Sequence, residues 1–281
     1  WGKYGPNRNL DGFGVGWYTT TRSEFDNSVE GPQPALYRTT IAQPANDTTF
    51  LSVCSNTASK TVLSHVRATL SPPVATTNNH PFVFGRHSLA HNGEIGRFRE
   101  IRPKMLERTD QKYSDMIHGS TDTEHFAALY FSRLDELANS PRIDDIEKPY
   151  PASMMWDALK RAIRDVFEIQ MEQFGGLPRN ALNICATDGE SMVALRYCND
   201  PKTKTPKTPT LFISFTAGDK LDRKSNKEVY EDDRSLEEID EIARRMAQHE
   251  RYASTLQVGQ RMGKLSESWM FGLPRPYRET H

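Results

Sequence analysis

Several features that would assign a chain to a class are missing from this one. Only three cysteines, Cys54, Cys185 and Cys198, occur in 281 residues. The number is odd and no two stand at metal-type spacing, which argues against both a disulfide framework and a zinc knuckle and favours buried thiols in a reducing compartment. Charge of one sign is also missing: the formal net charge is −1, so no basic field steers the molecule onto nucleic acid or anionic lipid. The expected ligand is small. No apolar run approaches the roughly 18 residues a membrane-spanning helix needs, and the opening Trp1-Gly2-Lys3-Tyr4-Gly5-Pro6 is unlike a signal peptide. A soluble, cytoplasmic protein that binds neither membrane nor nucleic acid is the expectation. The chain starts at Trp1 instead of Met, which suggests a removed segment or a fragment.

What is present falls into blocks. Asp11 to Tyr18, DGFGVGWY, alternates glycine with larger residues, as a strand does when another backbone or a ligand approaches closely. Leu36 to Arg38 is a short strand candidate, and Phe50, Leu51 and Val53 form an apolar helix turn. Thr61 to Thr69 is rich in β-branched residues, and on it His65 and Arg67 stand two apart, hence on one face. A Pro- and Asn-rich loop follows. Strands at Pro81 to Phe84 and Ser88 to His91 flank Gly85-Arg86 as a hairpin turn.

Helical spacing then predicts helices over Phe98 to Leu106, Thr121 to Leu137 and Met154 to Met171, the last stopped by Gly175-Gly176-Leu177-Pro178. Strands return at Ala181 to Ala186, Met192 to Tyr197 and Thr210 to Phe215, with Asp188-Gly189 as a turn. Pro201 to Pro209 reads as a surface loop. After Gly218 the chain turns to mixed charge, with a helix expected over Leu236 to Ala247. Strands and helices segregated in blocks favour an α+β layered fold with antiparallel sheets. The division expected is one domain over 1–218 and a charged, partly helical extension over 219–281.

The densest cluster of chemically capable residues lies between Ser64 and Glu124. It contains Ser64-His65-Val66-Arg67-Ala68, Asn78-Asn79-His80-Pro81-Phe82, Ala90-His91-Asn92-Gly93-Glu94 and Gly119-Ser120-Thr121-Asp122-Thr123-Glu124. Each fragment has a purely structural reading. Asn92-Gly93 is a type I′ turn signal, and Thr121 with Glu124 is a capping box. His65, His80 and His91 invite a metal, but no carboxylate or thiol cluster completes a ligand set, so no metal and no cofactor is expected.

Taken together and in order, DGFGVGWY, HVRA, NNHPF, AHNGEI and GSTDTE resemble the class II glutamine amidotransferases, which are N-terminal-nucleophile hydrolases. The resemblance spans about Asn9 to Gly218. It is nearest to the branch of the amidotransferase-like subunit of the fungal glutathione-degrading complex. It implies a four-layer αββα sandwich of two antiparallel sheets. It also implies that Arg67 holds the α-carboxylate of a glutamyl group through its bidentate fork, and that Asp122 receives the α-ammonium. Asn92 and Gly93 would form the oxyanion hole, while His65, His80 and His91 support the site.

The chain departs from the family at the nucleophile, a cysteine exposed as the first residue of the mature protein whose free α-amino group serves as base. Trp1 can do neither job, and Cys54 is internal and follows the glycine-rich strand. The activity implied is hydrolysis of a γ-glutamyl amide or peptide bond in glutathione or glutamine, together with a peptidase-like partner subunit. The alternatives are a γ-glutamyl hydrolase of ergothioneine-type biosynthesis and a catalytically inactive subunit that binds γ-glutamyl ligands or scaffolds a partner.

Overall fold

The computed structural model describes residues 11–42, 44–68, 73–138, 146–202 and 211, and the backbone of 256–258. Along the chain lie β1 (Phe13–Thr19), α1 (Thr21–Phe25), β2 (Gln33–Thr39), α2 (Thr48–Ser55), β3 (Val62–Val66), β4 (Phe82–Phe84) and β5 (His87–Glu94). They are followed by α3 (Phe98–Glu107), α4 (Gln111–Ser114), α5 (Asp122–Ala138), α6 (Ala152–Phe174), β6 (Asn180–Thr187), β7 (Met192–Asn199) and β8 (Leu256–Val258).

The glycine alternation of β1 explains how two sheets meet. β1 lies between β2 and β3 in an antiparallel three-stranded sheet. Gly14 and Gly16 share its inner face, where a Cβ on Gly14 would fall on the carbonyl oxygen of His80 and one on Gly16 would come within 3.0 Å of the Pro81 ring. Any side chain there would push the sheets apart. Tyr18, next on that face, sends its hydroxyl across, 2.9 Å from Arg86 O, Ser88 Oγ and Thr187 O of the second sheet. On the outer face Phe13 meets Phe50 of α2 edge-on at 4.8 Å, and Tyr37 stacks on the same ring. Asp47 caps α2 by accepting from Phe50 N, and its other oxygen accepts from the Tyr37 hydroxyl.

The second sheet runs β4-β5-β6-β7-β8 and is antiparallel except for the parallel β7–β8 pair. β8 brings backbone from the 219–281 stretch onto the sheet edge. The face turned away from β1 carries Leu89, Ile184, Val193 and Leu195 against α5 and α6. α6 buries Met155, Leu159, Ala162, Val166 and Ile169, an i, i+3/i+4 stripe. It stops where Gly175 adopts a left-handed φ of 67°. The resulting order of layers, α2, sheet, sheet, α5 with α6, is an α+β arrangement of two antiparallel sheets with helices outside.

Two turns form as the sequence predicts. Gly85-Arg86 links β4 to β5, and residues 188–191 link β6 to β7. Arg86 does more than turn the chain: wholly buried, it donates to Asp188 O and Glu30 O and pairs with Glu190, which ties both hairpins together. Asn92-Gly93 is not a turn. Both residues lie inside β5, paired with Asn183 and Leu182 of β6, because the long partner strand continues past them. Most of the Thr210 to Phe215 strand and the Pro201 to Pro209 loop, and all of the Leu236 to Ala247 helix, lie outside the described residues.

Candidate functional site

β1 and β5 leave the seam between the sheets open at one end, where the chain passes from β3 toward the start of α5. There a cavity of about 1230 Å³ is lined by β3 through Ala68, the end of β5, the start of α3, Ser120 to Thr123 and the middle of β6. Arg67, Asn92, Gly93 and Asp122 all line it, and so do His65, His80 and His91.

Arg67 follows β3, held by backbone bonds to Asp11 and Gly12. Its side chain is buried, yet among the described residues Nη1 donates only to neutral oxygens, Asn79 Oδ1 at 3.3 Å and Pro73 O at 3.4 Å. No carboxylate among the described residues pairs with it. Burial pulls its pKa down, and the nearby charges of Asp11 and Asp122 only partly oppose that. A desolvated guanidinium with no carboxylate hydrogen-bonded to it is costly, and an anionic ligand relieves the cost.

Asp122 opens α5, where the helix macrodipole favours a carboxylate. Its Oδ2 accepts from Ile95 N and its Oδ1 from Thr123 N, both at 2.8 Å, which fixes α5 to the chain just beyond β5. Half of the capping box forms, with Glu124 N donating to Thr121 Oγ1. The Glu124 carboxylate instead accepts from His118 N and Gly119 N.

Asn92 and Gly93 stand near the end of β5, exposed on the cavity wall. Gly93 has φ 154°, and a Cβ there would collide with Ala181 O, so only glycine lets β6 pass this close. The three histidines form a scaffold beneath. His91 places Nδ1 3.0 Å from Thr123 Oγ1 and Nε2 3.0 Å from Ala181 O, and its backbone N–H donates to His80 Nδ1. The His65 ring lies 4.2 Å from that of His80. Burial, with the charges of His91 and Arg67 adding to it, pushes His65 down to about 4, and burial likewise holds His80 well below the usual imidazole range. No group of three or more His, Cys, Asp or Glu that could hold a metal occurs among the described residues.

Two supporting residues went unassigned in the sequence, although both stand in the NNHPF motif. Asn79 braces Arg67, and Asn78 Oδ1 accepts from Ser120 N just before α5. Their signal was the Asn doublet itself, which reads equally well as loop composition. As for nucleophiles, Cys54 is exposed on α2, in the opposite outer layer. Cys185 lines the cavity, but burial pushes its thiol up to about 11, so it stays protonated at neutral pH. Among the described residues no helix is long and apolar enough to cross a membrane.

Comparison with known proteins adds a family. Residues 3–196 match the model of the class-II glutamine amidotransferases. The chain is 30% identical over 209 residues to the probable glutamine amidotransferase DUG3 of Saccharomyces cerevisiae, covering 73% of this chain. It spans only 56% of that relative's length. Among solved structures, a glutamine aminotransferase class-II domain protein from Silicibacter pomeroyi is 29% identical with a TM-score of 0.49, covering 68% of this chain and 71% of that one. A predicted glutamine amidotransferase from Pseudomonas aeruginosa is 21% identical with a TM-score of 0.36, covering 64% and 57%.

Proposed function

The chain belongs to the class II glutamine amidotransferase family, and from that premise we propose that its cavity binds a γ-glutamyl group for hydrolysis of the amide or peptide bond at its γ-carbon. Arg67 takes the α-carboxylate and Asp122 the α-ammonium. Asn92, through its side-chain amide, and Gly93, through its N–H, receive the oxygen of the γ-carbonyl as charge develops on it. Loss of one such donor costs about 100- to 1,000-fold in rate. The substrate we favour is glutathione, degraded in the cytoplasm with a peptidase-like partner subunit.

The observation that carries this reading is Arg67, a buried cation without a hydrogen-bonded carboxylate among the described residues, in one cavity with Asp122 and the Asn92-Gly93 pair. Calorimetric titration tests it. L-Glutamine and glutathione should bind the chain, and Arg67→Met or Asp122→Asn should weaken both by about 10- to 100-fold, the loss expected for a hydrogen bond to a charged group. Binding left unchanged by both variants would remove the site.

A second reading has its own support. The covalent step needs a thiolate, and neither the exposed Cys54 nor the protonated Cys185 offers one at the site. On this reading the chain binds γ-glutamyl ligands without hydrolysing them. Glutamate release from glutathione, measured beside the titration, separates the two.

A further inference from the structure

The cavity extends beyond the four groups just described. Its volume of about 1230 Å³ exceeds the roughly 300–1,000 Å³ that houses most small-molecule ligands, whereas glutamine leaves only ammonia once its glutamyl head is held. The extra wall comes from α3 and the residue that precedes it, which contribute Arg97, Arg99 and Arg102.

The charges on this wall do not all cancel within it. Glu100 is taken by Arg97, whose guanidinium also lies 3.6 Å over the Phe174 ring, and Glu94 is taken by Arg179. Arg102 has no such partner among the described residues. Its Nε donates at 2.9 Å to Nε2 of the buried His125. The other ring nitrogen of His125 lies 2.8 Å from Thr121 O and must therefore carry the proton, which leaves Nε2 as the acceptor Arg102 needs. Burial lowers the pKa of His125, so this neutral tautomer persists. The Phe98 ring packs edge-on against His125 at 5.1 Å and fixes its plane. Arg102 is thus anchored by Nε, and its two terminal nitrogens remain for an anion in the fork geometry that suits a carboxylate.

We propose that Arg102, positioned by His125, is the subsite for the distal carboxylate of a γ-glutamyl peptide, so that the cavity selects γ-glutamyl compounds ending in an acid over free glutamine. This rests on the γ-glutamyl reading of Arg67 and Asp122. His125 stands three residues after Asp122 on α5, a helix rise of about 4.5 Å, and Arg102 lies one hydrogen bond further on. A cation at that remove from the ammonium site has nothing to bind in glutamine. A dipeptide leaving group spans about 7 Å extended and ends in the carboxylate that a cation on the same cavity wall would meet.

Titration with three probes tests the subsite: glutathione, its C-terminal glycinamide, and L-glutamine. The wild-type chain should bind glutathione about tenfold more tightly than the glycinamide, the order expected for a charge-assisted contact at a partly solvated site, and the gap should shrink as salt is added. In Arg102→Ala the gap should close, with glutamine affinity unchanged. Arg102→Lys should restore part of it. Equal binding of acid and amide by the wild-type chain would overturn the subsite without depending on any variant, and so would an Arg102→Ala chain weakened equally toward all three probes. A failure of the head-group reading shows separately, as glutamine binding indifferent to Arg67→Met.

Discussion

The face of the five-stranded sheet that meets α5 and α6 carries Leu89, Leu182, Ile184, Val193 and Leu195, none more than 3% exposed, whereas the opposite face carries Ser88, Asn92, Asn183, Cys185 and Thr187 and meets β1 through two glycines and a tyrosine hydroxyl. One face resembles the interior of a helix-covered domain. The other is a polar seam whose contacts are individual hydrogen bonds. The difference separates what holds the chain folded from what lines its cavity. Apolar burial contributes about 25 cal/mol per Å², so the helix side carries most of the stability. The seam can therefore tolerate a buried Arg67 that has no hydrogen-bonded carboxylate among the described residues.

Substitutions can break this comparison at either side. The largest effect is expected on the helix side: Leu129→Ala, at a wholly buried position of α5, should cost about 2–5 kcal/mol in denaturant unfolding. At the seam Gly14→Val should cost about 1–3 kcal/mol through overpacking against the His80 carbonyl. Gly176→Ala, where an added Cβ meets nothing within 4 Å, should be neutral or stabilising by under about 1 kcal/mol.

Acid should act next, and on both sides, since His65 lines the cavity whereas His87 packs against Phe131 of α5. His65 and His87 are each held down to about 4 mainly by burial. Below the unfolded imidazole pKa of about 6.5 the unfolded chain therefore binds protons that the folded chain refuses. Stability should be fully present above pH 6.5 and fall as the pH is lowered toward 4, each histidine contributing up to about 1.4 kcal/mol per pH unit. A melting temperature flat across that window would show these rings to be protonated in the fold. The smallest effect on stability belongs to Arg67→Met. It should change unfolding free energy by less than about 1 kcal/mol, since replacing a buried charge that lacks a hydrogen-bonded carboxylate among the described residues by an apolar chain of similar length relieves as much as it removes. The same variant should lose γ-glutamyl binding.

What could be read from the sequence divides along the same line. α6 is announced by its 3.6-residue stripe and its terminal glycine, and β1 by glycines that make sense only if another backbone crosses it. The Gly85-Arg86 turn was legible from local chemistry, but the burial of Arg86 was not, since its partners Glu30, Asp188 and Glu190 come from distant turns. Asn92-Gly93 misled for a related reason. The pair favours a hairpin locally, but β6 hydrogen-bonds straight past it, and tertiary pairing outweighs a two-residue preference. The short α1 and α4 carry too few residues for a period to show. In the site, the motifs named residues that the fold brings to one cavity, while the bracing by Asn78 and Asn79 and the His125–Arg102 contact became visible only in three dimensions.

The central claim is that Arg67, Asp122, Asn92 and Gly93 grip one glutamyl group. A crystal structure of the chain with L-glutamine bound tests it most directly. The account predicts the α-carboxylate on the Arg67 guanidinium, the ammonium on Asp122, and the side-chain carbonyl oxygen within about 3 Å of Asn92 Nδ2 and Gly93 N. Glutamine bound in reverse, or elsewhere with Arg67 left untouched, would contradict it.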